Sequence, residues 1–92
     1  MSYRVELSRQ AKKALLALPK RDRRLIGRRL LALVDSPRPL GAKALARPLQ
    51  AHYRLRVGDS RIIYTVRDKQ LLVLVVRIGP RRDVYEEAER GE

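Results

Sequence analysis

The chain has 92 residues, no cysteine, and 22 Lys and Arg against 10 Asp and Glu, a formal net charge of +12. That length predicts one small domain spanning residues 1–92, with a single core and little stability in reserve. The missing cysteine excludes disulfides, thiolate catalysis and Cys-ligated zinc, and the charge calls for a polyanionic or acidic partner, with nucleic acid foremost.

In chain order, Tyr3-Arg4-Val5-Glu6-Leu7 alternates like a strand, and Ser8 suits the N-cap of a helix over residues 9–18. Ala11, Ala14, Leu15 and Leu18 there fall at i, i+3, i+4 and i+7, so one stripe is apolar. Pro19 ends that helix and can open a second, whose apolar stripe includes Ile26, Leu30, Leu33 and Val34 between Arg23, Arg24, Arg28 and Arg29. Asp35-Ser36-Pro37-Arg38-Pro39 terminates it, and residues 37–50 read as an irregular connection rich in Pro, Gly and Ala.

A strand meander follows. In residues 53–57, Tyr53, Leu55 and Val57 point one way while Arg54 and Arg56 point the other, so one face is core and the other is charge. Gly58-Asp59 suits a hairpin turn, after which Arg61 opens the partner strand through Arg67. Residues 71–78, apolar on both faces but for Arg77, fit a central strand that Gly79-Pro80 stops. Arg81, Arg82 and Tyr85 follow as a short extension, and Glu86-Glu87-Ala88-Glu89 as a helical tail.

The order β-α-α-β-β-β predicts an α+β domain: an antiparallel sheet with a helical hairpin packed on one face and arginines on the other, partly open face. That cationic face, formed by Arg54, Arg56, Arg61 and Arg77 and extended by Arg81, Arg82 and Tyr85, suits a phosphodiester backbone. A solvated sheet face is the plainer reading of Arg54, Arg56 and Arg61 taken alone, and Arg77 reads equally as an ion-pair partner of Asp59 or Asp83. Tyr53 and Tyr64 alternate with core aliphatics and read as core. His52 alone cannot make a metal site and no acidic pair supplies one, so neither metal nor cofactor is expected. The N-terminal MSYRVELS has no apolar targeting core, and the run at Leu71 is too short to span a bilayer, which predicts a soluble cytoplasmic protein.

These residues resemble the RelE/ParE superfamily of bacterial type II toxins across essentially the whole chain. The strongest parts are YRLRVGDSRIIY at residues 53–64 and VRIGPRRDVY at residues 76–85, with Leu18-Pro19 at the turn of the helical hairpin agreeing. The resemblance implies a RelE-like fold. RelE-type members cut mRNA in the ribosomal A site and are neutralised by a cognate antitoxin, here implied to be RelB-like, acidic and partly disordered. By resemblance, Arg54 and Arg56 stand where such toxins carry basic strand residues. Arg61 matches their phosphate-contacting arginine, Arg81 the arginine after the glycine, and Tyr85 the C-terminal tyrosine.

The implied chemistry is attack of an RNA 2′-hydroxyl on the adjacent phosphate. It needs a base, charge neutralisation at phosphorus and a proton for the leaving 5′-oxygen, but no metal. Arg61, Arg81 and Tyr85 are the catalytic candidates, and Arg54, Arg56, Arg77 and Arg82 the RNA-holding ones. RelE-type enzymes often carry lysine at the positions of Arg54 and Arg56, and histidine or lysine at Pro80. Arginine exchanges protons poorly, which leaves Tyr85 as the side chain able to move one. The expected function is therefore a ribosome-dependent mRNA endonuclease toxin. A ParE-like inhibitor of DNA gyrase and a non-toxic basic RNA-binding domain stand as alternatives.

Overall fold

The structure, a computed structural model, describes residues 2–45 and 52–80. Among them the chain forms β1 (Arg4–Leu7), α1 (Arg9–Ala17), α2 (Lys20–Ala32), β2 (Ala42–Ala44), β3 (His52–Val57), β4 (Ser60–Arg67), a short 3₁₀ turn (Asp68–Gln70) and β5 (Leu72–Pro80). The expected helical tail at Glu86-Glu87-Ala88-Glu89 and the extension bearing Arg81, Arg82 and Tyr85 lie outside the described residues.

Local sequence accounts for both helices. Ser8 is the N-cap of α1, its hydroxyl oxygen accepting from the Ala11 N–H. Pro19, extended at φ −56° and ψ 151°, separates the helices and is itself the N-cap position of α2. The second apolar stripe behaves as expected, with Ile26, Leu30 and Leu33 buried.

The five strands form one sheet in the order β1-β5-β4-β3-β2. This is the expected α+β arrangement with two refinements. The sheet is mixed, because β1 pairs parallel to β5 while the other neighbours are antiparallel. The connection after α2 also contributes an edge strand, β2, whose Ala-Lys-Ala is a poor strand former held by its pairing with β3. As expected, β5 is central; it runs on through Gly79 to Pro80, which pairs with Ser60 at the strand's last position, where proline is tolerated.

One face of the sheet carries the core. Ala11, Ile26, Leu30 and Leu33 from the helices meet Leu55, Val57, Ile62, Tyr64, Val73, Val75 and Ile78 from the strands. Burial of each large aliphatic side chain there contributes about 1.5–3 kcal/mol. Tyr53 and Tyr64 belong to this side, their rings stacked at 5.6 Å and 22°.

At the end of the sheet away from the Gly58-Asp59 turn, a polar clasp pins the chain after α2. Arg38 donates to both Asp68 carboxylate oxygens, at 3.1 and 2.8 Å, and its Nε donates to the Tyr53 hydroxyl at 2.8 Å. The Tyr3 hydroxyl donates to Asp68 at 2.6 Å, and the Tyr64 hydroxyl to the Pro37 carbonyl at 2.9 Å. The Arg38 and Tyr3 hydrogen bonds hold the Asp68 carboxyl below its usual range, while the bond to Asp68 raises the Tyr3 hydroxyl. Burial, reinforced by Tyr53, pushes the Tyr64 hydroxyl up to about 12.

Candidate nucleic-acid interface

The sheet face opposite the helices is built by cross-strand pairing. Lys43 on β2 opposes Arg54 on β3, Arg54 opposes Ile63 on β4, and Ile63 opposes Arg77 on β5. One step nearer the hairpin turn, Arg56 opposes Arg61, which in turn opposes Gly79. Side chains of opposed residues share a face. Lys43, Arg54, Arg56, Arg61 and Arg77 therefore share one face of the sheet with Ile63, which is fully buried.

The turn keeps this geometry in register. Gly58 has φ +58° and Asp59 does not share the positive φ, the pattern of a two-residue type II′ hairpin. A one-residue slip would send Arg54, Arg56 and Arg61 to the helix side.

Gly41, Lys43, Arg54, Arg56 and Arg61 line a cleft of about 300 Å³. Arg54 and Arg61 are half-buried and Arg56 is exposed. Among the described residues no acidic side chain lines the cleft. Planar guanidinium forks on this face match the paired oxygens of a phosphodiester.

Of the residues expected from sequence, Arg54, Arg56, Arg61 and Arg77 are brought to the same face, whereas Arg81, Arg82 and Tyr85 lie outside the described residues. Arg77 does not pair with Asp59: it donates to the side-chain oxygen of Gln10, at the start of α1. Sequence reasoning missed Lys43, which sits on the strand it did not find. The alternation Ala42-Lys43-Ala44 was the signal available, too short to stand alone.

How β5 delivers Arg77 is also informative. Val73 and Val75 face the core, so simple alternation would turn residue 77 inward as well. A bulge intervenes: Tyr64 pairs with Val75 while Ile63 pairs with Arg77, leaving Val76 as the extra residue. The parity flips, Arg77 joins the cationic face, and Ile78 turns into the core at 5% exposure.

Comparison with known proteins agrees with this architecture. The mRNA interferase toxin RelE of Escherichia coli is 29% identical over 90 residues, covering 96% of this chain and 95% of that protein. The RelE-RelB complex of Pyrococcus horikoshii contains a chain 32% identical with a TM-score of 0.75, the match covering 90% of this chain and 99% of that one. A chain of the toxin-antitoxin complex RelBE2 from Mycobacterium tuberculosis is 26% identical with a TM-score of 0.79, over 88% of this chain and 100% of its own. The family described as ParE toxin of type II toxin-antitoxin system, parDE, matches residues 5–85. On that match, together with the shared fold, the chain belongs to the ParE toxin family and is a type II toxin of the RelE/ParE superfamily.

Proposed function

We propose that this toxin is a ribosome-dependent endoribonuclease that cleaves mRNA in the A site and so inhibits translation in the cytoplasm. The observation that carries the reading is the cleft of about 300 Å³ in which Arg56 and Arg61 oppose one another across the β3–β4 pair. Two guanidinium forks set side by side on a sheet face suit a phosphate bridging them.

In this reading Arg61, half-buried in the cleft, neutralises charge growing on the phosphoryl oxygens as the 2′-hydroxyl attacks. Arg54, Arg56, Arg77 and Arg82 hold flanking phosphates, with Lys43 beside them. Arg81 serves the leaving 5′-oxygen, and Tyr85 takes the 2′-hydroxyl proton and returns one to that oxygen. The chemistry needs no metal. Among the described residues no group of three or more His, Cys, Asp or Glu side chains could hold one. Codon and ribosomal RNA supply substrate orientation that the small protein does not.

The relatives solved with a RelB antitoxin support the same kind of partner here, an acidic segment that orders on the toxin and covers or displaces its cationic face. The match to the ParE family favours a second reading, inhibition of DNA gyrase.

Primer extension on a defined mRNA translated by purified ribosomes separates the two. New 5′ ends at A-site codons are expected with the wild-type protein, absent on free mRNA, and reduced about 10²–10³-fold by Arg61→Ala, the loss typical of one oxyanion donor. Growth arrest with intact message overturns the nuclease reading in favour of gyrase. Harmless expression overturns both.

A further inference from the structure

The bulge that aims Arg77 is not left to β5 alone. At Val76 the Ser8 hydroxyl donates to the bulged carbonyl at 3.0 Å, and the Ser8 N–H donates to the Val75 carbonyl at 2.8 Å. The same hydroxyl accepts from the Ala11 N–H at 3.1 Å. One side chain thus caps α1 and satisfies the carbonyl that the bulge takes out of the ladder. Two residues on, the Gln10 side-chain oxygen accepts from the Arg77 guanidinium.

Both contacts act on one consequence. Without the bulge, Arg77 would share the core face of Val73 and Val75, and Ile78 would face the cleft side. Arg77 stands diagonal to Arg61 across the β4–β5 pair, since Ile63 opposes Arg77 and Arg61 opposes Gly79. The two arginines are diagonal neighbours on one face of the sheet.

We infer that Ser8 and Gln10 are positioning residues for Arg77: Ser8 fixes the bulge that turns it to the cationic face, and Gln10 fixes the direction of its guanidinium for contact with a phosphate. The inference rests on the reading that this face binds RNA. The start of α1, on the helix side of the sheet, thereby controls a group on the opposite face.

The test uses the full chain in two measurements. Register is read by NMR from cross-strand contacts between Ile63 and Arg77, and RNA binding from fluorescence anisotropy of a single-stranded RNA oligonucleotide across a salt series. Ser8→Asp keeps an N-cap acceptor but has no proton for the Val76 carbonyl; it and Ser8→Ala are expected to lose the Ile63–Arg77 contacts, while Ser8→Thr restores them. Arg77→Ala is expected to flatten the salt dependence by about 0.7 in log-log slope, one single-strand phosphate. Ser8→Ala should do the same, with no further loss in the double variant. Gln10→Ala should keep the register and weaken binding about two- to tenfold, the worth of one hydrogen bond.

Retained Ile63–Arg77 contacts in Ser8→Asp and Ser8→Ala, or additive losses in the double variant, overturn the inference. A wild-type slope in Arg77→Ala instead overturns the phosphate role of Arg77 in the proposed function, and the NMR register alone then upholds or sinks the role of Ser8. The two failures are therefore distinguishable.

Discussion

At the scale of single residues the proposed RNA-binding face sets two cationic side chains directly against each other. Arg56 and Arg61 lie directly opposite on adjacent antiparallel strands. Such like-charge pairs destabilise a sheet by roughly 0.2–1 kcal/mol, and threonine is a better strand former than arginine at an exposed position. Arg56→Thr is accordingly expected to raise unfolding stability by about 0.5 kcal/mol in urea titrations while weakening RNA binding. A gain in both, or a loss in both, would contradict the assignment of Arg56 to the site. Residue types and alternation alone already separated Arg54, Arg56 and Arg61 from the core, because period-2 patterning needs no tertiary information. Arg77 is read onto the same face from its charge, yet it stands at core parity in an otherwise apolar strand, so alternation argues against that placement. That mismatch is itself the trace a bulge leaves in a sequence.

At the scale of elements, the helices and the main strands were legible because caps, prolines and periodicity act locally. Ser8 caps α1 as its sequence context demands, and Pro19 divides the hairpin. Two features were not legible. Strand β2 exists because β3 offers it a partner, and β1 lies parallel to β5 because the core brings remote segments together; neither is written in the segment concerned. Nor was the clasp of Arg38, Asp68, Tyr3 and Tyr53, which joins four separate elements and connections. It makes stability depend on pH in a defined direction. The Asp68 carboxyl is depressed in the folded state, so its contribution is present above the unfolded value near ~3.9 and is lost as pH falls through the folded one. The Tyr64 hydroxyl is raised to about 12, so its contribution is present below the unfolded value near ~10 and lost as pH climbs through 12. Urea midpoints measured across pH should show Asp68→Asn with lowered stability at neutral pH and a flatter acid limb. Tyr64→Phe should flatten the limb between about pH 10 and 12. An unchanged acid limb in Asp68→Asn would remove the clasp from the account of stability.

At the scale of the whole molecule, a net charge of +12 on 92 residues sets two opposed responses to salt. Self-repulsion destabilises the compact state and is screened by added ions, with a Debye length of about 10 Å at 0.1 M. Binding to RNA releases counterions and weakens as salt rises. Between low and moderate sodium chloride the melting temperature of the free protein is therefore expected to rise while RNA affinity falls. Melting that drops with salt would mean that the ion pairs Arg4–Glu6 and Arg38–Asp68 outweigh the excess positive charge.

The parallel pairing of β1 with β5 also orders events in time. Residues 4–7 make their sheet hydrogen bonds against residues 71–75, so the strand synthesised first waits for one of the last. At ribosomal speeds of about 5–20 residues per second, that wait is several seconds, during which the apolar face of α1 lacks the strand it packs on. Nascent chains that stop short of β5 would leave the bulge, the Ser8 contact and the placement of Arg77 unmade together. The cationic face is then completed only with β5, and a co-synthesised partner has an interval in which to meet the chain before Arg77 is placed.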